Sequence, residues 1–338
     1  MVRLPEENKR PGICYATTRD GIELPAVDIT HPAFALDIDE ARQRELVEKF
    51  RRDGIPFSRL PSPLRNLLLR FLLRGSILAG GIRKAQGGFM TGIHTYLLKL
   101  GPEMLGSAYA NPVDRKIAAS LPALGVRLRL QDMALLMAEA LLPHLQADPR
   151  RPVVFLNIAG GPAVDSLNAL IVLNKRHAGM LTGRRISIVV LDADDEGPAF
   201  GDAALAALSG TEGPLRGVDV NFQHSAYDWA NADQLEVPLR EALSQGALVI
   251  CSSEGGLFEY GSDDEIVANL GVLRAHSSVV AVVGSVTRAD ELAQRLRQTG
   301  GAATHPRGLS VFRDLASKAN WRVSRVVNAR STIRFVMV

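Results

Sequence analysis

The rhythm of apolar residues changes once along the chain, near residue 152. Downstream, apolar runs of strand length alternate with helix-length segments. The runs predict strands over 153–158, 185–191, 218–223, 247–251 and 278–285. The segments between and after them predict helices over 163–175, 199–209, 234–243, 263–276, 289–298 and 309–319. Two last runs, 321–328 and 332–338, have no helix between them and predict a hairpin around Ala329-Arg330-Ser331. Alternating strands and helices imply a mostly parallel sheet with helices on both faces, and the hairpin adds one antiparallel strand. The expected class is therefore α/β, with a seven-stranded sheet.

Upstream the pattern is different. Acidic residues lead and basic residues close 37–52, which suits a helix. Apolar residues surround 64–73 almost completely, with Pro63 placed for a first helical turn. Further helices are expected over 89–100, 115–121 and 128–145, and one short strand near 22–27. The stretch 75–88 is rich in glycine and small residues, and 148–152 is a turn-rich hinge. The division expected is a mostly helical N-terminal domain or cap, 1–148, ahead of an α/β domain, 149–338. A helical prefix of this kind can shape a substrate pocket, because sites favour domain junctions.

Composition narrows the class. The chain has 338 residues, 46% hydrophobic and 22% charged, as in globular proteins with a sizeable core. Its two cysteines, Cys14 and Cys251, exclude a disulfide scaffold, fit a reducing cytoplasm and form no zinc-type cluster. The start has no apolar core of a secretory signal. The greasiest stretch is broken by Arg65, Arg70 and Arg74, which argues against membrane insertion. A net charge of +3 does not by itself imply nucleic acid. Residues 54–102 carry no acid, however, while Arg59, Arg65, Arg70, Arg74, Arg83, Lys84 and Lys99 are basic. They form either a solvated helix face or a surface for an anionic substrate, an acidic partner or a membrane.

In open parallel sheets, ligands bind beyond the carboxyl ends of the strands. Those ends here are Asn157 and Ala159-Gly160-Gly161-Pro162-Ala163, then Asp192-Ala193-Asp194, then the stretch through Tyr227-Asp228-Trp229, then Ser252-Ser253-Glu254-Gly255-Gly256. A strand, a glycine turn and a helix let a backbone approach a nucleotide-like ligand. Alone, the first turn reads equally as an ordinary βα connection. His94, Tyr96 and Tyr109 are read as structural in the first place and as substrate contacts in the second. Arg127 and Arg129 either reach a carboxylate or sit on the surface.

Taken in order, these strand ends resemble the Rossmann-like class I family of S-adenosylmethionine-dependent methyltransferases, over about 152–338. Leu-Asn-Ile-Ala-Gly-Gly-Pro-Ala, 156–163, is similar to the family's first motif, with Asn157 for its acid, Ala159 for its first glycine and Ala163 for its last. The resemblance implies S-adenosylmethionine as cofactor. It makes Asp192 the ribose-binding acid and Asp228 the adenine-side acid, with Tyr227 or Trp229 beside the ring. Asn157, Ala159, Gly160, Gly161, Pro162, Ala193, Ser252 and Ser253 join the expected cofactor site. The implied activity is O- or N-methylation of a small-molecule acceptor, with no nucleic acid, since a basic surface interleaved with aromatics is missing from the sequence. A homo-oligomer is compatible with this reading.

Methyl transfer to a phenol, alcohol or protonated amine needs a base. Glu254 is the best-placed carboxylate, with Tyr260 and His224 as helpers; its alternative role is to bind nearby backbone N–H groups. Two other functions are carried forward. One is a non-catalytic protein that keeps the fold and the cofactor, suggested by Asn157 and Ala159. The other is a partner- or membrane-surface-binding protein using 54–102. A dehydrogenase is weaker, because the glycine spacing of dinucleotide binding is absent.

Overall fold

The computed structural model describes residues 4–38, 40–53, 75–84, 90–105, 111–291, 293–294, 303–328 and 332–338. The helix expected over 64–73, most of the basic segment, Tyr109, most of the helix at 289–298 and the turn at 329–331 lie outside them.

Seven strands form one sheet: β3 (Val153–Ile158), β4 (Ile186–Leu191), β5 (Val220–Ser225), β6 (Leu248–Ser253), β7 (Val279–Thr287), β8 (Val323–Asn328) and β9 (Thr332–Met337). Their order is β5-β4-β3-β6-β7-β9-β8. The pairings from β5 to β7 are parallel, and β9 runs antiparallel to both of its neighbours. The chain thus winds from β3 one way to β5, then returns to β6 on the other side of β3. That reversal is the switch point at which such sheets open a crevice.

The alternation of side chains explains two cores. From β3, Val153 and Phe155 enter one cluster with Ile188, Val190 and Ile250. Val154, Leu156 and Ile158 enter the other, with Val189, Leu191, Val249 and Cys251. Successive residues of a strand point to opposite faces, so a strand buried on both must be apolar throughout.

The first half of the chain contributes directly to one of these cores. A two-stranded hairpin, β1 (Tyr15–Thr17) with β2 (Glu23–Pro25), opens it. Only β2 falls within the strand expected near 22–27; β1, three residues long, leaves too short a pattern to read. Helices follow: α1 (Glu40–Asp53), α2 (Ile77–Lys84), α3 (Gly92–Leu100), α4 (Pro112–Ala118) and α5 (Leu121–Ala147). The helices expected over 115–121 and 128–145 are shifted. Asn111 caps α4 by accepting from the N–H groups of Val113 and Asp114. Ser120 caps α5, and Pro122 falls in its first turn, where a proline's missing N–H costs nothing. A proline that looks like a break is therefore a beginning.

Helix α5 has 27 residues, roughly 40 Å at the usual helical rise. Leu130, Met133, Ala134, Met137, Leu141 and Leu145 bury one stripe of it. The stripe packs on α6 (Val164–Arg176) and on the sheet at β6, β7 and β9. The other α-helices among the described residues are α7 (Glu196–Leu208), α8 (Glu236–Ser244), α9 (Leu257–Tyr260), α10 (Asp263–Ala275) and α11 (Gly308–Lys318). Among the described residues, no helix is long and apolar enough to cross a membrane.

Arg184 fastens the end of α5 to the strand that follows. It is fully buried. Its guanidinium donates to the carbonyl of Leu145 at 3.2 Å, of Asp148 at 2.9 Å, and to that of Arg151. These include carbonyls that the end of a helix leaves without partners. Arg184→Met should therefore cost about 2–3 kcal/mol of stability. Denaturant unfolding reads the loss; an unchanged midpoint would show that the carbonyls find other donors.

Candidate active site

The turn after β3 is built by close contacts. Ala159, Gly161 and Ala163 all take left-handed backbone conformations, with φ of 55°, 55° and 50°. The two alanines bear the strain such angles carry for any residue with a Cβ. Asn157 is fully buried beneath the turn rather than facing outward. Its amide donates to Asp165 Oδ1 at 2.7 Å, Ser252 Oγ at 3.1 Å and Ser166 Oγ at 3.3 Å. A Cβ on Gly160 would lie 1.8 Å from Asn157 Oδ1, so that position admits only glycine. Above the turn, Gly161 meets Gly92 at the start of α3 and Gly197 in α7. A Cβ on Gly92 would come within 2.9 Å of the Gly161 Cα.

The neighbouring strand ends complete one side. Asp192 Oδ2 accepts from the Gly161 N–H at 2.8 Å, and Oδ1 accepts from the Asp194 N–H at 2.9 Å. Burial pushes the Asp192 carboxyl above the usual carboxylate range, and those two N–H groups pull against it. Asp194 Oδ2 in turn accepts from the Gly92 N–H at 3.3 Å. After β5, Asp228 is exposed and Trp229 half-buried. Tyr227 is buried, and its hydroxyl donates to Asn269 Oδ1, so its polar tip is turned into the core. Burial raises that phenol.

A buried charge cluster forms the other side. Lys99 Nζ, on α3, donates to Glu254 Oε2 at 2.8 Å. Arg129, on α5, donates from Nε to Glu254 Oε1 at 3.2 Å and from Nη1 to Glu259 Oε1 at 3.1 Å. Ser285 Oγ donates to the same Glu259 oxygen at 2.7 Å. Burial opposes the charge of Arg129, and Glu259 and Glu254 more than offset it, so the guanidinium is held ionised. Tyr260 is pushed up to about 12, by burial first and the charge of Glu259 second.

These walls enclose a cavity of about 480 Å³. Of the residues singled out in the sequence, Ala159, Gly160, Gly161, Asp192, Ala193, Tyr227, Asp228, Trp229, Glu254 and Tyr260 line it. Asn157, Pro162, Ser252, Ser253 and His224 do not. Ser253 Oγ accepts from the Leu257 N–H at 3.0 Å at the start of α9. His224 is exposed, its Nε2 lying 2.9 Å from the Asp192 carbonyl oxygen.

Sequence reading missed the wall given by α3: Met90, Thr91, Gly92, Thr95 and Lys99. The signal was a stripe, Thr91, Thr95 and Lys99, at every fourth position. Lys99 was left open between a solvated face and an anionic substrate, acidic partner or membrane surface, and its burial excludes the solvated face for this residue. Of the two arginines left open, Arg129 reaches carboxylates, while Arg127 packs against Gly101. Tyr96 is structural: its hydroxyl donates to the Pro25 carbonyl at 2.6 Å and accepts from the Val27 N–H at 3.1 Å. His94 contacts Thr91 Oγ1 at 2.7 Å and does not line the cavity.

Seven strands, parallel but for β9 in a C-terminal hairpin, form the Rossmann-like sheet that the sequence resemblance implies. No protein-family model and no curated protein sequence matches the chain. Solved structures do. Human N-acetylserotonin methyltransferase in complex with SAM is similar at 14% identity, over 62% of this chain and 55% of that one, with a TM-score of 0.34. An O-methyltransferase family protein from Burkholderia thailandensis is 14% identical over 67% and 60%, with a TM-score of 0.38. The match thus spans little more than half the length of these two. The mitomycin 7-O-methyltransferase MmcR is 13% identical over 81% and 96%, with a TM-score of 0.36. At these scores the likeness is distant, and it is the strand order that defines the fold.

Two substitutions probe the turn. Gly92→Ala sets a methyl against the backbone of Gly161 and should cost about 1–3 kcal/mol, read by thermal unfolding. A mutant that melts with the parent would mean that α3 moves away freely. Asp165 Oδ2 is buried without a partner, and burial raises this carboxyl. The folded protein therefore holds a proton that the unfolded chain releases, and stability falls as pH rises through the raised value. Asp165→Asn removes that penalty. It should melt higher than the parent by about 1 kcal/mol at about pH 8, with the gap closing towards about pH 4. A gap that widens on acidification would refute this.

Proposed function

We propose that this protein is a methyltransferase that uses S-adenosylmethionine and acts on a small-molecule acceptor. One observation carries the reading. The half-buried Asp192 carboxylate, at the end of β4, is held on the glycine turn of β3, with Asp228 and Trp229 one strand further on. Each Asp192 oxygen accepts one backbone N–H, which leaves room for a hydroxyl donor on each. A ribose diol presents two such donors. The Trp229 ring and the Asp228 carboxylate offer a flat face and an acceptor, suited to adenine. Ala159, Gly160 and Gly161 leave the turn open to close approach. The residues present therefore fit this cofactor.

Charge agrees. Asp192, Asp194, Asp228 and Glu254 line the cavity against Lys99, the one cation among the described residues that do. A cavity so lined favours a cationic ligand. When bound, the cofactor supplies a methyl group on an electrophilic sulfonium. The chain binds, orients and keeps water out. Under this reading α3 is the acceptor wall, and the division at 148/149 separates a substrate-shaping part from a cofactor-binding part. Met90 and Thr95 on this side, with Tyr260 from α9, give the cavity an apolar surface with few polar points, in keeping with a small organic molecule.

Both Glu254 oxygens are held by cations, so proton removal is not assigned to it. Tyr260, pushed up to about 12, keeps its proton at neutral pH and is not the base. His224 lies off the cavity wall and takes no part. An acceptor that arrives deprotonated needs only proximity and desolvation. The paired state of Glu254 also favours a second reading, in which the protein holds the cofactor without methyl transfer.

Calorimetry with S-adenosylmethionine tests the proposal. Wild type should bind, and Asp192→Ala should bind about tenfold more weakly or worse. No binding by wild type, or undiminished binding by the variant, would sink it. Formation of S-adenosylhomocysteine with members of a phenol and amine panel separates the two readings: turnover supports the first, and its absence throughout the panel supports the second.

A further inference from the structure

Lys99 is a buried cation with unused donors. Its side chain is 4% exposed, and Glu254 Oε2 at 2.8 Å takes one of its N–H groups. An ammonium has three. Among the described residues, no second acceptor lies within hydrogen-bond distance of it. Glu254 has no oxygen to spare, because Oε1 accepts from Arg129. Lys99 also lines the cavity, between Thr95 and Glu254. A buried charge with open donors is costly unless something completes it, and the occupant of the cavity is placed to do so.

We propose that Lys99 is a receptor for an anionic oxygen on the molecule that fills this cavity. The naming of that molecule rests on the proposed function, which supplies two sources. One is the α-carboxylate of the cofactor. Asp228 and Asp192 stand at the ends of β5 and β4, so a nucleoside held by them directs its amino-acid end towards β3 and β6, where Lys99 meets Glu254. The other is an ionised oxygen of the acceptor, a phenolate or carboxylate, which Lys99 would hold in its deprotonated form.

Calorimetry with S-adenosylhomocysteine and with methylthioadenosine, the same nucleoside without the amino-acid end, separates the sources. Para-nitrophenolate, followed by absorbance on the full-length protein with and without S-adenosylhomocysteine, supplies the other arm. If Lys99 holds the cofactor's carboxylate, Lys99→Met loses about tenfold or more in affinity for S-adenosylhomocysteine and little for methylthioadenosine. If it holds an acceptor oxygen, both nucleosides keep their affinity. Nitrophenolate binding then falls about tenfold, and the bound phenol no longer ionises at lower pH than the free one. Lys99→Arg should restore part of either loss. Lys99→Met leaves Glu254 with one partner; if it fails to fold, Lys99→Met with Glu254→Gln, compared with Glu254→Gln alone, makes the same measurement. A variant that binds all three probes as wild type does would overturn the proposal, as would a wild type that binds none. Wild type that binds nitrophenolate but neither nucleoside would refute the cofactor reading and leave Lys99 to be decided by the nitrophenolate arm.

Discussion

The position of the cavity depends on four buried charges: Lys99, Arg129, Glu254 and Glu259. They come from four elements, α3 and α5 in the first half of the chain and the end of β6 and α9 in the second. Taking ions out of water costs several kcal/mol each, and their attraction repays this only with good geometry and satisfied lone pairs. Here Arg129 bridges both glutamates, and Ser285 and Thr287 complete Glu259. Such a cluster adds little net stability over an apolar core of the same shape. What it does is fix position, since any slide of α3 or α5 along the sheet would strand a charge. The first half is held at the carboxyl edge of the sheet by a constraint that tolerates no other register.

A second constraint is steric. Gly92, Gly161 and Gly197 meet backbone to backbone, so α3 crosses the turn of β3 without intervening side chains. The hydrogen bonds follow the same line: Gly161 donates to Asp192, and Gly92 to Asp194. One short acidic stretch after β4 therefore ties together the turn and the helix that covers it. Beneath, Asn157 supports the turn through Asp165, Ser166 and Ser252. The position that carries an acid in the resembled family holds an amide here, and the buried acid, Asp165, stands on α6 opposite it.

The sheet was legible because burial on both faces forces apolar runs, and the runs end where polar residues begin. Asp192 was legible for the same reason, as the first residue beyond such a run, and Asp228 and Glu254 as acids in the short stretches that follow the next ones. What escaped was whatever depends on distant parts of the chain. Lys99 stays open between a solvated charge and an anion-facing one until Glu254, 155 residues on, is brought to it. Arg129 was left open because its partners lie 125 and 130 residues away. Asn157 sits within the right motif but points beneath it, a choice made by Asp165 and Ser252 rather than by its neighbours. The start of α5 was misplaced because Pro122 and Gly125 look like breakers, whereas Ser120 turns the first into a helix opening and packing tolerates the second.

Strand β9 bears on how the chain is made. It lies inside the sheet, between β7 and β8, although it follows both in sequence. Its Arg334 is fully buried and pairs with Asp132 on α5, 202 residues earlier. A ribosome therefore releases α5 long before its partner exists, and β8 before it has a neighbour to pair with. The part of the α5 stripe that meets β7 and β9 must wait, uncovered, while the second half of the chain is made, in a period when exposed stripes recruit chaperones or one another. The residues that line the cavity, by contrast, are all in the chain once Tyr260 has been made, so its walls wait on β9 only through the placement of α5.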